Sequence, residues 1–314
     1  MTPSTRAAVY HGPEDVRVED VPRPETENPG DALVRVIHTA VCGSDLWPYR
    51  GHSDRDTPSR NTPSRIGHEP MGIIEEVGED VWSVQPGDRV FVPFVVSCGE
   101  CEFCRRGLHT SCVNGDSWSG DNGGAQGKYV RSPHADGTLV RIPDRYDDDE
   151  ETLRAALPLT DVLGTGHYAD RLDVAEAFGA TDTVLGGEGG VDDEAERVRD
   201  LTHGGAEHVL ECVSATSAME TAVGACRPSE TVGYVGVPHG TGDGLDLFDF
   251  FGDNITLAGG VAPVHAYADD PLADVLGGTL DPSPVFTKTV SLEDVDEGYR
   301  AMDEREAVKV LVEP

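Results

Sequence analysis

Apolar and polar residues follow two different patterns along the chain, and the change falls near residue 150. Before it, short segments rich in β-branched residues alternate with turn sequences that contain glycine, proline or asparagine. These segments are 6–10, 32–39, 72–77 and 89–92. Many short strands without helical periodicity predict a small β-barrel-like domain.

After residue 150, strand patterns alternate with helical spacing of the apolar residues. The predicted strands are 183–185, 208–213, 231–237 and 255–260, and the predicted helical segments are 173–179, 192–201 and 216–226. This alternation is typical of a parallel sheet with crossover helices. A helix at 292–302 and a strand at 309–312 close the chain. At 314 residues the chain exceeds one usual core, so we expect an α/β protein of two domains, one of them β-rich.

The charge balance is strongly acidic, with 58 acidic and 24 basic residues and a formal net charge of −34. The acidic residues are spread along the whole chain, and only three residues are lysine: Lys128, Lys288 and Lys309. Such a charge repels nucleic acid and anionic membranes, so neither is an expected partner. An ordinary acidic protein is the simpler interpretation. Adaptation to a cytoplasm with molar salt, where the screening length falls to about 3 Å, is the favoured one.

The amino-terminal sequence has no apolar region of the kind found in signal peptides. No apolar run approaches the roughly 18 residues that a membrane-spanning helix needs. The number of cysteines, seven, is odd, which fits a reducing compartment. We therefore expect a cytoplasmic protein without a membrane span.

Four of the seven cysteines fall within one short stretch, at positions 98, 101, 104 and 112. Tetrahedral zinc takes four thiolates at about 2.3 Å, and short spacers allow one loop to supply them all. Four protein ligands leave no open position, so Cys98, Cys101, Cys104 and Cys112 predict a structural zinc. The alternatives are clustered cysteines without a metal, or a disulfide pair.

A second group of candidate ligands comes from separate segments, Cys42-Gly-Ser-Asp and Gly67-His-Glu-Pro. A cysteine, a histidine and an acidic residue are a suitable set for a catalytic zinc with an exchangeable water. Taken alone, each segment is more often explained by a buried cysteine or a core histidine. The nearby cysteine quartet favours the metal site.

With Pro86-Gly-Asp-Arg-Val and Tyr234-Val-Gly-Val-Pro, these motifs make the chain resemble the zinc-dependent medium-chain alcohol dehydrogenases from about residue 5 onward. The resemblance implies a GroES-like catalytic barrel at 1–159 with 281–314. It also implies a Rossmann-type cofactor domain at 160–280. The implied activity is hydride transfer between a small alcohol or aldehyde and NAD or NADP. The implied assembly is a homodimer or homotetramer.

The resemblance also implies roles for single residues. Cys42, His68 and Asp161 would bind a catalytic zinc, and Glu69 could enter its coordination shell during water exchange. Asp45 would orient the histidine ligand. Ser44 would pass on the substrate proton. Many relatives carry a histidine two residues after the aspartate; this chain has Trp47 there, so His52 or water is the alternative proton exit.

The chain departs from the family where the glycine-rich G-x-G-x-x-G turn should cradle the dinucleotide pyrophosphate. No such turn follows residue 165, and a βαβ unit of some 30 or more residues is predicted to be absent. In Gly186-Gly-Glu-Gly-Gly, the position of the last glycine of the fingerprint is Asp192, whose charge would repel a pyrophosphate, so a surface turn is favoured. The family's remaining cofactor contacts match by position, although each could equally be a core or loop residue: Thr165, Val213, Gly236, Val237, Gly260, Val261 and Lys309.

Two hypotheses follow. The chain is a zinc-dependent, nicotinamide-dependent alcohol dehydrogenase adapted to high salt. Alternatively, it is a truncated relative that keeps the zinc-binding barrel, cannot bind the dinucleotide and is catalytically inactive. Both predict zinc, and only the first predicts affinity for NAD or NADP.

Overall fold

The computed structural model describes residues 3–52, 63–118, 123–146, 149–161, 175–176, 179–186, 190–213, 215–237, 245–262 and 264–314. The chain divides into two compact units. Unit 1 consists of Met1–Leu163 and Pro263–Pro314, and unit 2 is Gly164–Ala262. The two-part α/β architecture expected from the sequence pattern is therefore observed.

Unit 1 is built from short strands that form two main sheets and a two-stranded ribbon. Strands β2, β1 and β4 lie side by side in the first sheet, and the second has the order β10-β6-β5-β3-β15-β14, with β9 also paired to β3. The ribbon pairs β7 with β8. The strands are β1 (Ser4–Gly12), β2 (Asp15–Pro22), β3 (Ala32–Val41), β4 (Ser64–Arg65), β5 (Pro70–Val77), β6 (Arg89–Phe91), β7 (Val95–Val96), β8 (Asp116–Ser117), β9 (Tyr129–Ser132), β10 (Val140–Arg141), β14 (Phe286–Ser291) and β15 (Lys309–Glu313).

Strand β3 is the centre of the larger sheet because it pairs with β5, β9 and β15. Eight of its ten residues are buried. In its antiparallel pairing with β5, Thr39 lies opposite Pro70. The end of β3 and the beginning of β5 therefore lie at the same edge of the sheet, which brings the residue after β3, Cys42, near the residues before β5, His68 and Glu69.

The helices of unit 1 are short and lie between or after the strands. They are α1 (Leu46–Tyr49), α2 (Glu102–Arg105), α3 (Ala135–Thr138), α4 (Glu150–Ala156), α8 (Val264–Tyr267), α9 (Asp269–Leu276) and α10 (Val295–Asp303). Helix α4 begins in the acidic run near residue 150, where the Asp149 carboxylate accepts a hydrogen bond from the Thr152 amide at 3.1 Å. Helix α10 packs its buried face on the sheet, with Val295 and Tyr299 fully buried.

The predicted domain boundary at 280/281 differs from the observed one at 262/263. The reason is helix α9, whose Leu272 and Val275 belong to the same buried cluster as Leu153 of α4 and Phe91 of β6. Apolar burial therefore assigns the segment 264–280 to unit 1. The other boundary, expected at 159/160, lies at 163/164.

Unit 2 contains a parallel sheet with the order β11-β12-β13 among its described residues. The strands are β11 (Ala206–Glu211), β12 (Cys226–Tyr234) and β13 (Thr256–Gly259), and the helices are α5 (Gly190–Leu201), α6 (Thr216–Ala225) and α7 (Leu247–Asp253). A crossover connection between parallel strands packs its helix back onto a face of the sheet. Val209, Val232 and Ile255 accordingly pack with Val223 of α6 and Phe250 of α7 in one cluster.

Two segments near the beginning of unit 2 differ from the prediction or lie largely outside the described residues. The predicted strand 183–185 is wrong, because residues 182–186 form no strand. A strand is stabilised by its hydrogen-bonded neighbour, and none of the described residues pairs with this segment. The predicted helical segment 173–179 falls mostly outside the described residues.

The second face of the unit 2 sheet is much more exposed than the first. Leu210, next to Val209 and therefore on the opposite face, is 69% exposed. Parallel sheets are normally covered on both faces. Nowhere in the described parts of the chain is a helix long and apolar enough to cross a membrane.

Candidate metal centres and active site

The cysteine quartet lies in the loop that connects β7 with β8. Cys98 and Cys101 precede helix α2, Cys104 lies within it, and Cys112 follows a 3-10 turn at His109–Ser111. All four cysteines are free thiols rather than disulfides. The loop therefore brings all four sulfur atoms to one place, as the spacing predicts, and the disulfide alternative is not what the structure shows.

The sulfur positions fit a tetrahedral zinc. The Sγ–Sγ distances are 3.5 Å between Cys101 and Cys104, 3.9 Å between Cys101 and Cys112, and 3.4 Å between Cys112 and Cys98. Four thiolates about 2.3 Å from one zinc would stand about 3.8 Å apart. The four Sγ atoms lie within 4.8 Å of one another, so the quartet could hold one ion with little movement.

The backbone around the quartet favours negative charge on part of it. Backbone N–H groups of Cys104 and Val113 donate to Cys101 and lower its pKa to about 6. Burial acts in the opposite direction on Cys104 and raises its pKa to about 12. Full deprotonation of four adjacent thiols needs a compensating cation, and a divalent metal supplies it.

The second cluster is assembled from three segments that are far apart in sequence. Cys42 follows β3, His68 and Glu69 immediately precede β5, and Asp161 follows a 3-10 turn at Leu157–Thr160. One ligand atom from each of these four residues lies within 4.8 Å of the others. The structure thus brings together all the residues predicted to surround a catalytic zinc.

The Asp161 carboxylate contacts the other two candidate ligands. Its Oδ2 atom accepts a hydrogen bond from Cys42 Sγ at 3.1 Å and lies 3.2 Å from His68 Nε2. A thiol, an imidazole nitrogen and a carboxylate oxygen that converge on one point form a donor set suited to zinc, with room for a fourth, exchangeable ligand. The three residues therefore fit the group that the sequence predicts.

Burial shapes the electrostatics of this cluster. It raises the pKa of the Cys42 thiol to about 12, helped by the carboxylates of Asp161 and Glu69. Burial opposes protonation of His68, but the carboxylates of Asp45 and Asp161 outweigh it and hold the pKa of His68 well above its usual value. The same contact with His68 overcomes burial and lowers the pKa of Asp161. Protons therefore occupy this cluster where a bound cation would displace them.

Asp45 and Ser44 both lie next to the imidazole of His68. Asp45 is 1% exposed, and its Oδ1 atom is 3.4 Å from His68 Nδ1. Its Oδ2 atom accepts a hydrogen bond from the Cys42 amide at 3.1 Å. Ser44 is exposed, with its Oγ atom 3.5 Å from His68 Nε2. A carboxylate on one side of the imidazole and a hydroxyl on the other match an orienting residue and a proton acceptor.

Lys309 was expected near a dinucleotide pyrophosphate, and the structure places its amine against Glu69. Lys309 Nζ lies 2.7 Å from Glu69 Oε2 and 2.8 Å from Oε1, and it donates to the Val41 carbonyl at 3.4 Å. Burial and the neighbouring Asp161 raise the pKa of Glu69, while Lys309 opposes that shift. The pair holds a buried carboxylate beside the candidate metal ligands.

The other predicted cofactor contacts lie in unit 2, except Thr165, which falls outside the described residues. Val213 follows β11, Gly236 and Val237 follow β12, and Gly260 and Val261 follow β13. Because the three strands are parallel and adjacent, these residues share the carboxyl edge of the sheet. That edge is where open α/β sheets bind their ligands.

Two further polar residues lie next to this site although no motif in the sequence marks them, Gln126 and Tyr299. Gln126 is 0% exposed and its amide contacts Asp45. The signal that could have found it is a single polar residue inside the apolar and glycine-rich stretch Gly123-Gly-Ala-Gln-Gly. Such a buried amide needs specific partners.

Two family models match the chain. The alcohol dehydrogenase GroES-like domain covers residues 28–144, and the zinc-binding dehydrogenase model covers residues 155–269. Together they account for most of the chain. The chain belongs to the zinc-dependent medium-chain alcohol dehydrogenase family.

Similar proteins extend over nearly the whole length. A protein named "Probable zinc-binding alcohol dehydrogenase" from Mycobacterium tuberculosis is 30% identical, over 94% of this chain and 84% of its own. The "Uncharacterized zinc-type alcohol dehydrogenase-like protein AdhB" of Bacillus subtilis is 29% identical, over 98% of this chain and all of its own. The solved structure of alcohol dehydrogenase TADH from Thermus sp. ATN1 superposes with a TM-score of 0.86 at 29% identity, over 98% of this chain and 99% of that chain.

Because these matches extend over nearly the whole chain, they give little support to the predicted truncation of the cofactor domain. The alignment with the Bacillus subtilis protein nevertheless runs over 386 positions, whereas this chain has 314 residues, so at least 72 positions lie opposite gaps in this chain. The chain therefore matches this relative from end to end but is shorter because of internal gaps in the alignment.

Proposed function

We propose that this protein is a zinc-dependent alcohol dehydrogenase that transfers a hydride between a small alcohol or aldehyde and NAD or NADP. The observation that carries the proposal is the convergence of Cys42, His68 and Asp161, with Glu69, on one point of unit 1. Family membership supports the same reaction class. The quartet at 98–112 would hold a second, structural zinc, which makes two ions for each chain.

A zinc ion held here would supply the Lewis acidity that lowers the pKa of an alcohol, and a bound nicotinamide would supply the hydride acceptor. Within the chain, Cys42, His68 and Asp161 would hold the metal, and Asp45 would fix the ring of His68. Ser44 takes up the proton of the substrate hydroxyl, because its Oγ atom lies beside His68 Nε2 at the exposed side of the cluster.

The proton then needs a path from Ser44 to solvent. Trp47 occupies the position of the usual histidine, and its carbonyl accepts a hydrogen bond from the His52 amide at 3.0 Å. The rings of Trp47 and His52 lie 5.6 Å apart, and His52 is exposed. We infer that the proton leaves through water at Ser44 or through His52, whose ring lies beside Trp47.

The glutamate–lysine pair would tune this site. Glu69 is 1% exposed and lies within reach of the candidate metal position, where Lys309 holds its carboxylate. Because Lys309 contacts both carboxylate oxygens, Glu69 can offer one of them to a metal while the other stays on Lys309, so neither buried charge is left unpaired. This arrangement supports the expected entry of Glu69 during water exchange.

A second candidate function has its own support. At least 72 alignment positions lie opposite gaps, the segment 183–185 forms no strand, and Leu210 leaves one sheet face exposed. These observations favour a relative whose unit 2 cannot hold a dinucleotide. Such a protein would bind zinc and be catalytically inactive.

Titration of the zinc-loaded protein with NADH and with NADPH in molar KCl separates the two functions. Energy transfer from the three tryptophans to the reduced nicotinamide reports binding. We expect saturable binding at micromolar concentrations, followed by turnover with small alcohols. Absence of binding up to millimolar concentrations, in a folded protein with two zinc ions, would contradict the dehydrogenase and support the metal-binding relative.

We further propose that the protein works in a cytoplasm with molar salt, and that it assembles as a homodimer or homotetramer. The net charge of −34 carries the first proposal, because like charges repel unless salt screens them. The melting temperature should rise steeply between 0.1 M and 2 M KCl. A melting temperature that does not change with salt would contradict it, and light scattering in the same buffers gives the assembly state.

A further inference from the structure

Gln126 is a fully buried polar residue whose side-chain amide has partners at both ends. Its Nε2 atom donates to the Ala40 carbonyl at 3.1 Å and to Asp45 Oδ2 at 3.3 Å. Its Oε1 atom accepts a hydrogen bond from the Tyr299 hydroxyl at 2.9 Å. A carbonyl and a carboxylate can only accept, so the nitrogen has to face them, and the amide has one orientation.

The backbone around Gln126 also supports the loop that carries the histidine ligand. The backbone N–H of Gln126 donates to the Ile66 carbonyl at 3.0 Å, and the backbone N–H of Ala125 donates to the Gly67 carbonyl at 2.9 Å. The Gln126 side chain lies directly against Gly67, where an added Cβ would stand 2.4 Å from Gln126 Cγ. Gly67 also has a φ of +93°, which favours glycine. Gln126 therefore contacts the residue immediately before His68.

Asp45 is the link between this amide and the metal ligand. One carboxylate oxygen, Oδ2, accepts from Gln126 and from the Cys42 amide, and the other, Oδ1, faces His68 Nδ1 at 3.4 Å. The direction of the carboxylate toward the imidazole thus depends on what holds Oδ2. A hydrogen-bonded sequence runs from Tyr299 through Gln126 to Asp45.

We propose that Gln126 is a positioning residue for the catalytic metal: it holds Asp45 Oδ2 so that Oδ1 orients the His68 ligand, and the Tyr299 hydroxyl locks the amide. The inference rests on the proposed function, because it assigns a metal to Cys42, His68 and Asp161. Mutation of a residue that hydrogen-bonds a metal-ligating histidine typically lowers metal affinity by about 10–100-fold. Mutation of a residue one step further from the metal should have a smaller effect.

Zinc and cobalt binding test the assignment without relying on turnover. Gln126→Met keeps the length of the side chain and removes its hydrogen bonds. We expect zinc binding at the catalytic site to weaken several-fold, by less than about tenfold, in chelator competition. A changed visible spectrum of the cobalt-loaded protein is also expected, because the His68 ring is no longer held. The quartet zinc should be retained with parental affinity.

Tyr299→Phe and Tyr10→Phe form a matched pair that tests the proposal even if Gln126→Met does not fold. Both tyrosines belong to one buried cluster and each donates one hydroxyl hydrogen bond, Tyr299 to Gln126 and Tyr10 to the Pro48 carbonyl at 2.8 Å. We expect both variants to lose a similar amount of melting temperature. Only Tyr299→Phe should weaken zinc binding at the catalytic site, by a few-fold. Equal metal affinity in the two variants would overturn the proposal.

Cys42→Ala distinguishes failure of this inference from failure of the proposed function. If Cys42→Ala lowers the zinc content from two to one and Gln126→Met binds zinc like the parent, only the positioning role is wrong. If the parent itself binds a single zinc that Cys42→Ala does not affect, the proposed catalytic site is wrong and the inference fails with it.

Discussion

The two cysteine-containing clusters are assembled in opposite ways. The quartet comes from one loop, with Cys98 and Cys112 only 14 residues apart, and three of its cysteines are partly exposed whereas Cys104 is buried. The catalytic cluster joins Cys42 to Asp161, which are 119 residues apart, and it is surrounded by the buried carboxylates of Asp45 and Glu69.

The difference teaches that a metal bound at each cluster would contribute to the fold in a different way. Two apolar side chains of the quartet loop, Leu108 and Val113, are exposed rather than packed, so a bound metal would supply much of the structure of this loop. The catalytic cluster exists because β3, β5 and the turn at Leu157–Thr160 already pack together. We therefore expect metal loss to affect stability at the first cluster and activity at the second.

The largest effect is expected from Cys42→Ala. It removes one ligand of the catalytic metal, and turnover should fall at least about a thousandfold, which corresponds to about 4 kcal/mol of transition-state stabilisation. Zinc analysis should find one ion instead of two, with nearly unchanged melting temperature. Cys212→Ala is the control, because that half-buried thiol lies in neither cluster. A marked loss of melting temperature in Cys42→Ala alone would break the comparison.

Cys104→Ser should have the opposite profile. Structural zinc sites bind with about 10–16 kcal/mol, and we expect on the order of 4 kcal/mol of that to appear as lost stability. The melting temperature should fall by about 8–16 °C, as scanning calorimetry in molar KCl would measure. The remaining zinc should support cofactor-dependent turnover at temperatures where the variant is folded. Parental stability with one zinc lost would mean that the loop is held by other contacts.

Lys309→Met tests how far the catalytic cluster depends on its own charge pairing. Removal of one partner of a buried ion pair costs about 3 kcal/mol or more, and Glu69 reduces that cost by taking up a proton. Urea unfolding should show lower stability in this variant, and the double variant Lys309→Met with Glu69→Gln should recover part of the loss. No recovery in the double variant would mean that Lys309 acts through packing of its aliphatic chain.

The smallest effect concerns pH and the quartet loop. His109 of this loop stacks on His265 of α8 with ring centroids 4.5 Å apart, and burial lowers the pKa of His265, assisted by His109 and opposed by Asp269. The unfolded chain then binds protons more readily than the folded one, so stability is lost as pH falls below the usual pKa near 6.5. His265→Phe should lose less stability than the parent between pH 7.5 and pH 5.5 in denaturant titrations. An identical pH dependence would exclude a contribution from this pair.

The sequence predicted the strands of unit 1 well because alternation and turn residues are local signals. The segments 6–10, 32–39, 72–77 and 89–92 all lie in observed strands, apart from Val92 at one end. The segment 183–185 failed for the converse reason. Its β-branched residues favour a strand, but a strand requires a paired neighbour, and local propensity contains no information about that neighbour.

The candidate site likewise contains residues that local sequence signals identify and residues that only the packed structure brings in. Spacing alone determined the quartet, because four thiols within one loop cannot lie far apart, and motif resemblance selected Cys42, His68 and Asp161. Only the tertiary structure placed Lys309 on Glu69, and Gln126 and Tyr299 behind Asp45. These contacts join residues 81 to 240 positions apart. They arise from strand register and from the requirement that each buried polar group find a partner, and both are properties of the packed chain rather than of any local stretch.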